Sequence, residues 1–311
     1  MLSTARINRL VLEGAREAEG GEVTAVASRD LARAQAYARE HEIPRAHGSY
    51  DSLLADDAVD AVYISLPNSL HHVWTMRALA AGKHVLCEKP YSRRAAEAVE
   101  AHDAAARAGL VLSEAFMWRH SPQTQRVLEL LPEIGELQAI RATFAFPLAD
   151  ATNVRMLPEL DGGALMDVGC YCVSAARLLA GEPEHVFGEQ VLGATGVDVR
   201  FSGLLRFASG VLAELTCGFT FAHQQLEAIG TGGTLCVRDP WHARQPVIEL
   251  NGAHIRVEHA NSYRRELENV SAAIRGDGPL LLGREDAVGQ ARVIEALYES
   301  AEGGSTVAVA T

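Results

Sequence analysis

The sequence predicts two domains: an α/β domain with a parallel sheet over residues 1–120, and an α+β domain with a large, mostly antiparallel open sheet over residues 121–311. In the first part, short β-branched runs alternate with longer helical patterns, which is typical of βαβ units. In the second part, strand-like runs are separated by short turns such as Ala208-Ser209-Gly210 and Asn251-Gly252, which indicate hairpins. The length of 311 residues is enough for two ordinary domains.

In the first domain, several predicted elements begin or end at a recognisable signal. Asp30 is placed to cap the N-terminus of a helix, and Gly82 and Gly109 are placed to end two others. The predicted strands cover residues 22–28, 61–66, 84–87 and 110–116, and the predicted helices cover 30–42, 70–81 and 93–108. This alternation predicts a parallel sheet with helices on both faces.

The second domain is predicted to consist mainly of hairpins. The predicted strands cover residues 137–146, 199–207, 211–219, 225–230, 234–237, 247–250 and 254–259. One helical pattern, at 167–179, interrupts them, and two more, at 263–274 and 284–302, close the chain. An open sheet with one apolar face needs a cover, so we expect a homodimer or a higher homo-oligomer formed through this domain.

Composition argues against several classes of function. The formal net charge of −12 disfavours nucleic acid or an anionic membrane as a partner, because both bind clustered Lys and Arg. We expect no membrane span, since no run reaches about 18 apolar residues, and the N-terminus lacks the pattern of a signal peptide. The five cysteines lie in apolar runs, which favours free buried thiols and a cytoplasmic protein. No His, Asp or Glu cluster has metal-site spacing, so we expect no catalytic metal.

The most specific motif covers residues 65–90, with the sequence SLPNSLHHVWTMRALAAGKHVLCEKP. Lys89 directly follows a predicted strand, and open α/β sheets bind ligands in the crevice beyond the carboxyl ends of their strands. An ammonium group there can donate a hydrogen bond to a hydroxyl or carbonyl oxygen, and partial burial can lower its pKa into a useful range. From position alone, the alternative is a solvated lysine or one paired with Glu88.

This motif resembles the superfamily of glucose-fructose oxidoreductase, inositol dehydrogenase and dihydrodiol dehydrogenase, the Gfo/Idh/MocA-type oxidoreductases. Its members carry Pro-Asn-x-x-His after one strand of a Rossmann domain and Ala-Gly-Lys-His-Val-Leu-x-Glu-Lys-Pro around the next. The counterparts here are Pro67, Asn68 and His71, followed by residues 81–90. The resemblance implies a nicotinamide cofactor that contacts Leu66, Pro67, Asn68, His71, Glu88 and Lys89, with Lys89 also catalytic. His71 has the alternative of a structural histidine.

A second motif, at residues 162–171, contains Asp167 and Tyr171 four positions apart, so both project from one face of a helix. It resembles the segment that opens the second-domain helix in this superfamily, where an Asp is followed by His or Tyr. The resemblance implies that Tyr171 exchanges a proton with the substrate oxygen, that Lys89 lowers the pKa of Tyr171, and that Asp167 orients substrate hydroxyls or Lys89. Which of Lys89 and Tyr171 moves the proton stays open. Without the Lys89 motif, the alternative would be structural: Asp167 would be an acidic residue at the start of a helix, and Tyr171 would be a residue of the core.

The predicted cofactor-binding loop differs in sequence from the loop of the superfamily. Ser28-Arg29 follows the strand where a Rossmann domain selects its cofactor, and Arg there favours NADP over NAD, although a solvated Arg29 is the alternative. By resemblance, the glycine-rich loop falls on residues without glycine: Ser3, Thr4, Ala5, Arg6 and Ile7. Only Met1 and Leu2 precede it, so almost the whole first Rossmann strand is predicted to be missing. Either the sequence starts at an internal Met of a longer natural protein, or another segment fills the gap.

Together these features predict an oxidoreductase that transfers a hydride between NADP(H) and a sugar, polyol, cyclic diol or related carbonyl. Residues 114–120 resemble the segment beside the nicotinamide, which implies cofactor contacts from Trp118 and Arg119. Interdomain packing is the alternative for these two side chains. Two other functions compete: a NAD-dependent glycosidase, and a non-catalytic dinucleotide-binding sensor, which the missing strand favours.

Overall fold

A computed structural model describes residues 1–310 and divides the chain into two units. The first unit comprises Met1–Ser92, Ala96–His120 and Asn261–Val288, and the second comprises Arg93–Ala95, Ser121–Ala260 and the chain from Gly289 onward. The sequence predicts a single change of domain at residue 120. In the structure, residues 261–288 return to the first unit because the helix in this segment buries Val270 against Val11 and Leu12.

The secondary structure follows the predicted alternation and adds short elements to it. The helices are α1 (Asn8–Glu17), α2 (Leu31–His41), α3 (Tyr50–Leu54), α4 (His71–Ala80), α5 (Ala95–Ala108), α6 (Pro122–Leu130), α7 (Cys170–Ala180), α8 (Ser262–Arg275) and α9 (Arg284–Gly303). The strands are β1 (Ala25–Ala27), β2 (Arg45–His47), β3 (Ala61–Ile64), β4 (His84–Glu88), β5 (Leu112–Ala115), β6 (Leu137–Ala145), β7 (Pro183–Leu192), β8 (Asp198–Phe207), β9 (Leu212–Gly218), β10 (His223–Gly230), β11 (Gly233–Val237), β12 (Val247–Leu250), β13 (Ala253–Arg256) and β14 (Val307–Ala308).

The sheet of the first unit is parallel, as predicted, and its central position is occupied by one residue. Strands β3, β4 and β5 form one parallel group, and β1 and β2 form another. Leu2 connects the groups through isolated parallel bridges to Ala27 and Ile64. The terminal amine of Met1 is buried and donates a hydrogen bond of 2.7 Å to the carbonyl of Ala25. Leu2, whose neighbours Met1 and Ser3 are hydrogen-bonded to the backbone of Ala27, therefore lies between the two groups of strands.

The first unit contains a cavity at one end of its sheet. It has a volume of about 160 Å³ and lies beside Met1, between the chain leading into β1 and strand β3. Apolar side chains of α8, among them Leu267 and Val270, form part of its lining. The cavity leaves the first unit less completely packed at this end of the sheet.

The second unit contains one continuous sheet of nine strands in the order β13-β12-β11-β10-β6-β9-β8-β7-β14. All neighbouring pairs are antiparallel except β6 and β9. This confirms the predicted large, mostly antiparallel sheet. Strand β7 has no counterpart in the prediction because Glu184, His185 and Glu189 interrupt its apolar pattern.

One face of this sheet carries exposed apolar side chains, whereas the other packs against helices. Phe187, Val191, Leu204 and Leu212, on β7, β8 and β9, are each more than a third exposed. Helix α7 packs against β6 and β9. Within residues 1–310, one helical segment, Pro158–Ala180, is long and apolar enough to match a membrane span. Of its most apolar stretch of 18 residues, 83% is buried inside the protein. Such burial is usual for a core helix, so this match is weak evidence for a span.

Candidate active site

The loop before α1 uses a serine where the superfamily has glycine. Ser3 adopts a φ of 123°, a left-handed conformation that favours glycine. Its hydroxyl lies 2.8 Å from that of Ser65 and accepts a hydrogen bond from the backbone N–H of Ala5. The hydroxyl of Ser65 donates to the Asn8 side chain, whose amide donates back to the carbonyl of Ser3. This closed network stabilises a strained loop that leads into the N-terminus of α1, where a phosphate group can bind.

The end of β1 brings a basic residue to the same loop. Asp30 caps α2 by accepting hydrogen bonds from the N–H groups of Ala32 and Arg33, which confirms the predicted cap. The Arg33 guanidinium donates to the hydroxyl of Thr4 at 2.8 Å, while Arg29 is exposed. The sequence prediction missed Arg33. Its position one helical turn after Arg29 is the signal that could have identified it.

His71 connects the ends of two neighbouring strands. Its ring is buried, with Nε2 at 2.8 Å from the carbonyl of Leu66 and Nδ1 at 2.9 Å from the carbonyl of Pro90. Burial lowers the pKa of His71. Both nitrogens face backbone oxygens, so the ring positions the segments that follow β3 and β4. Among the predicted contacts of this region, Pro67 and Asn68 lie in the short 3-10 turn between β3 and α4.

Lys89 is partly buried directly after β4, and residues close to it in the chain interact with acidic side chains. The hydroxyl of Tyr63 donates a hydrogen bond to Glu88. Glu266 of α8 is 2% exposed, and burial followed by the charge of Glu88 raises its pKa well above the ordinary value. The backbone N–H of Tyr91, two residues after Lys89, donates to Glu114 at 3.0 Å. The lysine therefore lies on a segment with fixed neighbours. Glu266 was missed because only the fold brings α8 to this place.

The two predicted contacts at the end of the first domain are buried in their own unit. Trp118 is 1% exposed, and the Arg119 guanidinium forms an ion pair of 2.9 Å with Asp286. Burial, followed by the charge of Arg119, lowers the pKa of His120 to about 4, so this histidine is neutral at physiological pH. The Arg119 charge already has a carboxylate partner within the first unit.

In the second unit, the predicted pair Asp167 and Tyr171 lies at the start of one continuous helical segment. The predicted α-helix begins instead as a π-helical turn, Leu165–Gly169, which carries Asp167, and continues as α7, which carries Tyr171. The wider π turn still leaves residues four apart near one face, and π turns are frequent at functional sites. The Tyr171 ring packs edge-on against Phe144 at 5.2 Å and Trp241 at 5.7 Å.

Asp167 has a charged neighbour that sequence reasoning missed. The Arg155 guanidinium donates a hydrogen bond of 2.7 Å to the Asp167 carboxylate. A side chain at Gly162 would place its Cβ 2.5 Å from the carbonyl of Arg155, so this glycine permits the close approach of the Arg155 segment. Arg155 remains 42% exposed at its side chain. The pair thus places a carboxylate and a guanidinium together at the π-helical turn that leads into α7.

Metal ligands and disulfides are absent from the residues described. Among residues 1–310, no group of three His, Cys, Asp or Glu side chains could hold a metal ion. All five cysteines are free thiols. Burial raises the pKa of Cys87, Cys172 and Cys217 well above the ordinary value, so these thiols are neutral.

Comparison with known proteins matches both halves of the chain to one family. Residues 4–116 match the model of an oxidoreductase family with an NAD-binding Rossmann fold, and residues 126–236 match the GFO/IDH/MocA C-terminal domain. D-xylose 1-dehydrogenase (NADP(+)) 2 from Haloferax volcanii is 41% identical over 99% of this chain and 98% of its own length. Trans-1,2-dihydrobenzene-1,2-diol dehydrogenase from Sus scrofa is 35% identical over 73% of this chain and 70% of its own length.

The solved structures agree with this match. A 3-ketoreductase from Actinomadura kijaniata, in complex with NADP and TDP-benzene, superimposes with a TM-score of 0.90 at 30% identity over 96% of each chain. Aldose-aldose oxidoreductase from Caulobacter crescentus gives a TM-score of 0.88 at 28% identity over 96% of this chain and 95% of its own. The resemblance read from the Lys89 and Tyr171 motifs is confirmed: the chain belongs to the Gfo/Idh/MocA family of oxidoreductases.

Proposed function

We propose that this protein transfers a hydride between NADP(H) and a sugar, polyol, cyclic diol or related carbonyl compound, with Lys89 and Tyr171 as the acid/base pair. The observation that carries the proposal is the fixed geometry of the second-unit motif. The Tyr171 ring packs edge-on against two aromatic rings, and the carboxylate of Asp167, four residues earlier, is held by Arg155. Two relatives support the substrate class and the cofactor. One is named as a D-xylose dehydrogenase that uses NADP(+), and the other is a 3-ketoreductase whose solved structure contains NADP.

The residues of the first unit fit a dinucleotide. The Ser3 loop leads to the N-terminus of α1, where backbone N–H groups can bind a pyrophosphate. Arg33, held at Thr4, and the exposed Arg29 suit the 2′-phosphate that distinguishes NADP from NAD. NADP(H), when bound, supplies or accepts the hydride at its nicotinamide ring.

The protein side chains manage the proton that accompanies the hydride. In the direction of reduction, the carbonyl carbon gains the hydride and the carbonyl oxygen takes the proton of the Tyr171 hydroxyl, which leaves a phenolate. The ammonium of Lys89 favours that phenolate through its positive charge. In the direction of oxidation, the phenolate accepts the proton of the substrate hydroxyl. Asp167 and Arg155 offer acceptors and donors that orient the remaining hydroxyl groups.

Removal of the acid/base pair tests this proposal. We expect Tyr171→Phe and Lys89→Met each to lower kcat by about 10²–10⁴-fold. The affinity for NADP, followed by tryptophan fluorescence, should change by no more than a few-fold in Tyr171→Phe. Nicotinamide absorbance is measured against a panel of D-xylose, other aldoses, polyols and cyclic diols. Full activity in Tyr171→Phe, or no activity of the unmodified chain on any member of the panel with either cofactor, would overturn the proposal.

A dinucleotide-binding sensor is the second candidate, and the first unit gives the reason. Its sheet has one residue in its central position, and Ser3 replaces the expected glycine. A sensor would bind NADP(H) tightly and turn over none of the panel. Absence of binding to both NADP and NAD would contradict the enzyme and the sensor alike.

We also propose that the protein forms a homodimer or a higher homo-oligomer through the open face of the nine-stranded sheet. Phe187 lies opposite Leu204 in the register of β7 and β8, and both are exposed. Replacement Leu204→Lys should shift the sedimentation coefficient to that of a monomer. Leu281→Lys, at an exposed leucine of the first unit, serves as the control. A monomeric unmodified protein at micromolar concentration would contradict this assembly.

A further inference from the structure

The helical segment that carries Asp167 and Tyr171 begins at a buried carboxylate. Asp198, the first residue of β8, accepts a hydrogen bond of 2.7 Å from the backbone N–H of Leu165. This N–H group lies at the beginning of the π-helical turn, where a helix leaves its first donors without partners. Asp198 is 33 residues away in sequence and only 3% exposed. The cap is therefore supplied by the tertiary fold and not by the local sequence.

The backbone before the helix is shaped to admit this carboxylate. Gly163 has a φ of 124°, and a Cβ added there would lie 2.0 Å from Oδ1 of Asp198. Any side chain would therefore both strain the backbone and displace the carboxylate. The glycine pair before Asp167 serves two contacts of the protein itself: Gly162 approaches Arg155, and Gly163 approaches Asp198.

A tyrosine and an arginine complete the environment of Asp198. The Tyr298 hydroxyl of α9 donates to Oδ1 of Asp198 at 2.9 Å. The Arg93 guanidinium lies over the Tyr298 ring at 3.7 Å and forms an ion pair of 3.0 Å with Glu302. Arg93 is four residues after Lys89 in the chain and belongs to the second unit. Arg93 and Asp198 thus both contact the same tyrosine.

We propose that Asp198, together with Tyr298 and Arg93, is a positioning group of the active site, which fixes the start of the helix carrying Asp167 and Tyr171. The inference rests on the proposed function, because it assigns a purpose to this cluster through Tyr171. None of the three side chains needs to touch substrate or cofactor for this role. A displacement of about 1 Å at the proton donor is enough to lower turnover by about 10²-fold.

The charge of Asp198 is consistent with this role. Burial is the main cause that raises its pKa to about 6, and the hydrogen bonds from Leu165 and Tyr298 oppose the rise. The group is therefore ionised at physiological pH despite its burial. An ionised carboxylate at the beginning of a helix interacts favourably with the partial positive charge of the helix N-terminus. Arg93 adds a further favourable charge.

Three variants test the proposal. Asp198→Ala removes the acceptor for Leu165, and we expect kcat to fall by about 10–100-fold with an unchanged Kd for NADP. Asp198→Asn keeps a side-chain oxygen that can cap the helix, so it should restore most of the lost kcat. Tyr298→Phe keeps the ring under Arg93 and removes one hydroxyl, and it should lower kcat by about 3–10-fold. Tyr298→Phe, the milder variant, still tests the proposal if Asp198→Ala does not fold.

A change in turnover that acts through Tyr171 can be separated from a general loss of stability. In a Tyr171→Phe background, Asp198→Ala should cause no further loss of kcat, because the group that it positions is already absent. Ser300→Ala is the matched control: Ser300 lies on the same helix as Tyr298, is fully buried, and accepts a hydrogen bond from Gly188. Its replacement should lower stability and leave kcat unchanged.

The outcomes distinguish this inference from the proposed function. An inactive Tyr171→Phe combined with a folded Asp198→Ala of full kcat would overturn the positioning role alone. A fully active Tyr171→Phe would overturn both. Losses of kcat that are equal in Ser300→Ala and Tyr298→Phe would also overturn the positioning role, since they would reflect stability.

Discussion

The two units of the chain support their candidate site residues in different ways. In the first unit, a short segment at Leu2 bridges the two halves of the sheet, a cavity of about 160 Å³ lies beside it, and Ser3 holds a strained loop. In the second unit, the sheet is continuous and a buried carboxylate caps the helix with Asp167 and Tyr171. The sharpest sequence motif therefore lies on the scaffold that contains the cavity. A specific sequence motif identifies the chemistry of a site. Only the three-dimensional structure shows how well the surrounding residues are packed.

The largest effect on stability is expected from an extension that fills the cavity of the first unit. An engineered extension of three or four β-branched residues before Met1 should occupy the cavity between β1 and β3 as a strand. At roughly 24 cal/mol per Å³ of cavity filled, the cavity of about 160 Å³ corresponds to an upper limit of about 4 kcal/mol in the free energy of unfolding. Urea unfolding measures the gain, and tryptophan fluorescence measures the affinity for NADP.

An extension of glycine and serine residues is the control for this experiment, since it adds backbone without apolar side chains. If both extensions stabilise the protein equally, or if neither does, apolar residues do not fill a gap in the first unit. The proposed difference in packing between the two units would then be wrong. If only the β-branched extension stabilises the fold and also tightens NADP binding, the incomplete strand limits the cofactor site.

The second expected effect is a dependence of stability on pH that arises in the first unit. Burial is the main cause that lowers the pKa values of His102 and His120 to about 4. The unfolded chain binds these protons below about pH 6.5, whereas the folded protein binds them only below about pH 4, so stability falls as the pH falls through this interval. Between pH 7 and pH 5 each histidine should contribute a loss of about 1–2 kcal/mol.

Urea unfolding at the two pH values measures this loss, and His120→Gln is the comparison because it removes one of the two titrating groups. The variant should lose less stability between the two pH values than the unmodified protein. An equal pH dependence in both would contradict the assignment of His120.

The sequence predicted those features that depend on local pattern. Asp30 caps α2 as expected, and β3 and β4 begin at the predicted Ala61 and His84 and end within two residues of the predicted positions. The π turn before α7 was not predicted, because the apolar pattern of a π turn is locally that of an α-helix. Residues that reach the sites through the fold also had no signal. Asp198 and Glu266 are distant in sequence from the helix start and the strand end that they approach.

The smallest expected effect concerns the choice of cofactor, and it tests whether the first unit is specific despite its incomplete sheet. Replacement of Arg33 by Ala removes one donor to a 2′-phosphate and should raise the KM for NADP by about 5–20-fold, with the KM for NAD unchanged, because an exposed charge-assisted hydrogen bond contributes about 1–2 kcal/mol. Arg39→Ala, at an exposed position in the last turn of the same helix, is the control. Initial rates with each cofactor give both KM values. Because Arg33 also donates to Thr4, an equal rise for NADP and NAD would instead assign Arg33 to the shape of the loop, and the preference for NADP would then have to come from Arg29.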